Sequence, residues 1–247
     1  MMVRTYGLAL YAFVCFASPA VGDPPTGFRQ QVFNGHDLQG WQVLGCRAVA
    51  DQGKLILQDG DGTVRTDCRY SNFVLELKWR PLRKKGWDSG IYFHCELPPS
   101  GQPWPARYQI NLAQGHEGNV VGVAAAQSKG LVLPGVWNQF RLTVIGKSAT
   151  LEINGQPAWQ IDALETASGY VALQSEVAGG GQFEFKDIFV TELDHQTMFN
   201  GRDLSGWQGA GQDAKRCWKV DQTLLVCTGD KGPWLRSETQ FDDFNLR

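Results

Sequence analysis

His94 lies between Tyr92 and Glu96 and is the histidine best placed for acid–base chemistry in this 247-residue chain. Imidazole titrates near neutral pH, and residues two apart on an extended strand project to one face. The same spacing groups Glu76 with Lys78, and Arg107 with Gln109 and Asn111. If these segments pair side by side, their polar positions form one patch on the solvated face of a sheet. His94, Glu96 and Glu76 are then the candidates for proton transfer. Arg107, Gln109, Asn111, Lys78 and Tyr92 are candidates for holding a neutral, hydroxyl-rich ligand, with Trp87, Trp104 or Trp137 as the ring stacked against it. His116, in a loop, is a weaker candidate, and His195 sits in a linker. The plainer reading is that any half-exposed antiparallel sheet turns polar residues outward without a function.

Strands must position these residues. Over 73–80 apolar Phe73, Leu75, Leu77 and Trp79 alternate with Val74, Glu76, Lys78 and Arg80, the period-two mark of a strand with one buried face. The alternation recurs over 91–96, 107–112 and 140–144, and further strands are expected at 55–58, 149–153, 170–175 and 183–191. A single helical turn is expected near 163–166. Turn residues separate these runs, at 51–53, 59–62, 154–155 and 179–181, and the Asn154-Gly155 pair predicts a type I′ hairpin. Short strands with glycine-rich turns predict an all-β, two-sheet antiparallel jelly-roll sandwich. The proline-rich 96–106 segment is unsuited to a central strand and reads as a rigid lid beside the strand ends.

A nine-residue segment occurs twice, FNGHDLQGW at 33–41 and FNGRDLSGW at 199–207, and the likeness continues through Cys46 and Cys217, Gln52 and Gln222, and Arg65 and Arg236. So long a period marks a duplicated domain rather than a solenoid. The expected organisation is a complete domain over 27–193, a linker over 194–198, and the first part of a second domain over 199–247. His36 is replaced by Arg202 in the second copy, so the repeat reads as structural. Residues 1–22 have a basic start, an apolar run and small residues, the layout of a secretory signal, and the run is too short to span a bilayer. After its removal no membrane span is expected, and the product is exported to a periplasmic or extracellular setting. Five cysteines then remain; Cys46 with Cys68 and Cys217 with Cys227 are possible pairs, and none of the spacings resembles a zinc site. A net charge of −2 offers nothing to a nucleic-acid or anionic-membrane partner.

FNGHDLQGW, then YSNFVLELKWR, DSGIYFH, VWNQFRLTV, LEINGQ, GYVALQ and FEFKDIFVTEL in that order, resembles the 3-keto-disaccharide hydrolase domain family. The resemblance implies a concanavalin A-like sandwich of the lectin and glucanase type, an exported location, and cleavage of glycosides that carry a ketone at sugar carbon 3. It requires no cofactor, although a divalent cation on the ketone oxygen would stabilise the enolate. Gln109 matches the family pattern. Asp88 stands where many members have Asn, Val136 where they have an acid, and Arg107 and Leu112 replace two further acidic positions. Two functions follow: cleavage of a 3-keto-glycoside, with His94 and its neighbours as the proton-transfer groups, or lectin-like binding of an oligosaccharide without cleavage.

Overall fold

The computed structural model describes residues 27–246 except 129, 177–181, 194, 230 and 243–245. The expected signal segment and the glycine turn at 179–181 lie outside the described residues. Eleven strands pair antiparallel in one curled sheet: β1 Phe28–Gln31, β2 Trp41–Asp51, β3 Lys54–Tyr70, β4 Phe73–Pro81, β5 Gly90–Cys95, β6 Gln109–Asn111, β7 Asn138–Ile145, β8 Ser148–Ile153, β9 Gln156–Ile161, β10 Gly169–Glu176 and β11 Phe183–Glu192. Their hydrogen-bonded order is β6-β5-β10-β3-β11-β4-β7-β8-β9, with β2 on β3 and β1 on β11.

The long strand β3 makes two layers out of one sheet. Its start pairs with β11 through Leu55 and Ile56, and its later part pairs with β10 from Asp61 to Tyr70. The chain turns from one layer into the other between these stretches, where Gly62 lies so close to β2 that a Cβ would stand 2.0 Å from the Leu44 carbonyl oxygen. The front layer is β2, β3, β10, β5 and β6; the back layer is β3, β11, β4, β7, β8 and β9, with β1 beside β11. Alternation supplies the core from both inner faces, with Leu75, Leu77 and Trp79 from the back and Ile91, Phe93 and Ile110 from the front. The result is the expected all-β jelly-roll sandwich. No helix among the described residues is long and apolar enough to cross a membrane.

One local expectation is met and another is not. Asn154 and Gly155 both have positive φ, 52° and 76°, as a type I′ hairpin between β8 and β9 demands. The helical turn expected near 163–166 is not formed; the helix present among the described residues is a short 3₁₀ turn, Ala214–Arg216.

The alternation rule fails at one place that matters. The pairing of β10 with β5 shifts register between Tyr170, opposite Cys95, and Ala172, opposite Tyr92. Two residues, Phe93 and His94, therefore face the single Val171. A bulge of this kind needs a left-handed residue, and His94 has φ +47°. Gly169 fits tightly beneath it, since a Cβ there would stand 2.2 Å from the His94 carbonyl carbon. The bulge turns Cys95 to the outer face and His94 inward.

Beyond β11, β12 Trp207–Gly209 pairs with β15 Leu235–Ser237, and β13 Trp218–Asp221 pairs with β14 Leu224–Cys227. Among the described residues neither Cys46 with Cys68 nor Cys217 with Cys227 forms a disulfide.

Candidate functional site

On the outer face of the front layer, cross-strand registers set residues in rows. Gln109, Tyr92, Ala172, Arg65 and Gln42 form one row across β6, β5, β10, β3 and β2. The neighbouring row holds Asn111, Gly90, Gln174, Thr63 and Leu44, and beyond it Glu176 faces Asp61.

A chain of hydrogen bonds crosses these rows. Tyr92 Oη donates to Gln109 Oε1 (3.2 Å), Gln109 Nε2 donates to Gln174 Oε1 (2.6 Å), and Gln174 Nε2 donates to Glu176 Oε2 (3.0 Å). Gly90 makes the chain possible. A Cβ there would stand 2.3 Å from Gln109 Nε2 and 2.8 Å from Gln174 Oε1, so any other residue would push the amides apart.

The chain ends at Glu176, one of two carboxyls on this face that burial shifts upward. Burial raises the Glu176 carboxyl above its ordinary range, and the charges of Asp88 and Asp61 add to this. Asp88 is raised as well, again through burial, with its own partners Ser89 and His116 opposing. The Tyr92 phenol is held far above its usual range, first by burial and then by the neighbouring Cys95, Glu176 and Asp88 charges. Raised carboxyls on a shared polar face mark a candidate acid–base site, whereas the phenol stays protonated and serves as a hydrogen-bond donor.

Trp104 from the proline-rich segment reaches across this face and donates its indole N–H to the Ser175 carbonyl (3.0 Å). It packs with Tyr170 against Tyr92, Cys95 and Ala172, a small apolar cluster separate from the main core. The segment read as a lid thus covers part of the front face. At the other end, Arg65 lays its guanidinium 4.1 Å over the Tyr170 ring and bonds the Thr66 carbonyl and Gln42. Arg65 Nε and Thr63 Oγ1 are buried on this face with no hydrogen-bond partner among the described residues.

Tyr92, Gln109, Asn111 and Trp104 thus share the face on which the sequence placed them, though Asn111 turns its Oδ1 to the Ala113 amide. The other candidates are elsewhere, and the expectation of one patch is corrected. His94 is only 1 % exposed, packed between the Phe73 and Phe93 rings, with Nδ1 on Thr166 O (3.1 Å) and Nε2 on Ser71 O (2.8 Å). Burial lowers its proton affinity, and a ring so engaged cannot reach a substrate. Trp87 is a core residue whose indole N–H donates to Glu117. Glu76 and Lys78 project from the back layer, away from the front face, because their alternate neighbours Leu75, Leu77 and Trp79 fill the core. There Glu76 pairs with Arg29 and Arg141, and Lys78 with Asp187. Trp137 belongs to the same back face, with Arg80 and Lys186 over its ring at 4.7 and 4.5 Å. Glu96 takes a bidentate pair from Arg69, and exposed Arg107 pairs with Glu165.

Gln174, Glu176, Asp61 and Arg65 were absent from the sequence candidates. The signal that could have found them is the same two-residue spacing, over Tyr170, Ala172, Gln174 and Glu176 and over Asp61, Thr63 and Arg65. Among the described residues no group of His, Cys, Asp and Glu side chains is arranged to hold a metal ion.

A jelly-roll sandwich with an amide- and carboxyl-lined outer face defines the class. The chain belongs to the 3-keto-alpha-glucoside-1,2-lyase-like domain family, whose pattern it matches over residues 29–191 and again over 194–247. Among solved structures it is similar to a protein provisionally named a glycosyl hydrolase from Parabacteroides distasonis, at 16 % identity and a TM-score of 0.54, over 68 % of this chain and 94 % of that one. It is also similar to the carbohydrate binding module CBM66 from Bacillus subtilis, at 13 % identity and a TM-score of 0.50, over 62 % and 96 % of the two chains. No curated protein matches the sequence.

Proposed function

We propose that this chain is an exported carbohydrate-active enzyme that cleaves 3-keto-glycosides by elimination followed by hydration. The family match over 29–191 carries this reading. It is supported by Glu176, at the end of the Tyr92–Gln109–Gln174 chain, and by Asp88, whose charge acts on it; burial raises both carboxyls. A ketone at sugar carbon 3 acidifies the proton on carbon 2. One carboxylate of the pair accepts that proton, and the other, protonated, gives its own to the departing glycosidic oxygen. The carbon 1–oxygen bond breaks as a carbon 1–carbon 2 double bond forms. Water then adds its hydroxyl to carbon 1 and a proton to carbon 2, so the sum is hydrolysis. Burial raises both carboxyls, and a raised carboxyl gives up and takes back a proton more evenly than an ordinary one. Arg65 Nε and Thr63 Oγ1, both without partners, suit the oxygen on which the enolate charge develops.

The test is release of free sugar or aglycone from a panel of 3-keto-glycosides by the purified protein. Turnover supports cleavage; binding of glycans with no release at any pH rejects it. That second result supports lectin-like binding, the reading favoured by the neutral amides Gln109, Gln174 and Asn111 at the centre of the face. Export rests on residues 1–22, and recovery of the protein in the cytoplasmic fraction of its host would reject it. The organisation proposed is one complete domain followed by the beginning of a second.

A further inference from the structure

Glu176 and Asp61 are directly opposite one another on neighbouring strands, where like charges are destabilising. Asp88 adds a third carboxyl whose charge acts on Glu176. Among the described residues no lysine or arginine pairs with any of the three, whereas Glu76, Glu96, Glu184 and Asp187 each do. His116 acts on Asp88 alone. Beside them Thr63 shares the face of Asp61 by alternation and lies opposite Gln174; it is 1 % exposed, yet its hydroxyl oxygen has no partner. A buried hydroxyl without a partner and three carboxyls without a counter-charge are two independent costs to the fold. A ligand that brings one cationic hydrogen-bond donor relieves both.

We infer that the front face takes a sugar bearing a free amine, with the ammonium held between Glu176 and Asp61, and Asp88 and the indole of Trp104 alongside. This rests on the carbohydrate reading and narrows its substrate class. The face is bipolar along β3. Asp61 and Arg65 are four residues apart, roughly 13 Å at the rise of a strand, about the reach of a disaccharide. A sugar with its amine at the acidic end lays its remaining oxygens toward Arg65.

Calorimetric titration of the full chain at low salt, with cellobiose, the β-1,4-linked glucosamine disaccharide and the N-acetylated form of the latter, tests this. The free-amine disaccharide is expected to bind about five- to tenfold more tightly than the other two, an advantage that fades in high salt. Asp61→Asn should reduce the advantage severalfold, read as the ratio of free-amine disaccharide binding to cellobiose binding by the same variant. Equal binding of the three sugars, no binding of any, or an undiminished preference in Asp61→Asn overturns the inference. So does a divalent cation, added alone, that raises the melting temperature of the natural chain but not of Asp61→Asn. Turnover of a neutral 3-keto-glucoside, assayed in parallel, reports on the cleavage reading separately.

Discussion

In both copies of the nine-residue repeat the asparagine side chain closes the same turn. Asn34 Oδ1 accepts the amides of His36 and Asp37 at 2.8 and 3.0 Å, and Asn200 Oδ1 accepts those of Arg202 and Asp203 at 2.8 and 3.0 Å. Asp37 then caps Gln39, and Asp203 caps Ser205, each at 2.9 Å. The indoles of Trp41 and Trp207 donate back to Val32 O and Met198 O. Even the next strand pair repeats, with Arg65 on Gln42 and Arg236 on Gln208. The copies part in their surroundings. Trp41 is 6 % exposed against a core of eleven strands, and Arg65 is covered by Tyr170 of β10. Trp207 is only half-buried, and Arg236 is exposed. Nine residues encode the turn; the cover over Arg65 comes from Tyr170, more than a hundred positions away.

Trp41→Ala should sharpen this contrast most. It removes a core indole and should cost about 3–5 kcal/mol, whereas Trp207→Ala should change the main unfolding transition by under about 1 kcal/mol. Denaturant melts of the two variants check it, and equal losses would mean that the two copies are equally embedded.

His94→Asn should cost about 2 kcal/mol through lost packing and the lost hydrogen bond from its single ring N–H to the Ser71 or Thr166 carbonyl. Burial holds the folded-state affinity of His94 for a proton below its ordinary value. The stability it contributes is therefore complete above about pH 6.5, the unfolded value, and is lost as pH falls through the lower folded value. The variant should show a flatter acid limb in melting temperature against pH.

The smallest effect belongs to the first hairpins of the two copies. Gln52 and Gly53 have φ of 48° and 75°, and Gln222 and Thr223 have 47° and 65°. Threonine in that region is strained, so Thr223→Gly should stabilise the β13–β14 hairpin by about 1 kcal/mol, while Gly53→Thr should destabilise the first copy by at least as much. Chemical shifts of the β13 and β14 amides would report the first change.

The fold was legible because period-two patterning and turn chemistry are local. The alternation at 73–80 gave β4, and Asn154-Gly155 gave the β8–β9 turn. β9 was not anticipated, since Pro157 and buried Ala158 and Trp159 break simple alternation. β3 was legible only at its start, because its glycines read as a turn where the strand in fact passes between layers. The site was legible where pairing is regular, at Tyr92, Gln109 and Asn111. It was misread at His94, because a one-residue bulge reverses the face of everything after it. Glu76 and Lys78 were misplaced for another reason: nothing in a single strand tells which of two layers it joins.

The central claim is that acid–base chemistry resides at Glu176 on the front face and not at His94 in the core. It is tested most directly by kcat/KM on a 3-keto-glucoside for Glu176→Gln and His94→Asn, each measured well below its melting temperature. The account predicts a loss of about 10²–10⁴-fold for Glu176→Gln with sugar binding retained, and less than about fivefold for His94→Asn. Full activity in Glu176→Gln, together with abolished activity in a folded His94→Asn, would contradict it.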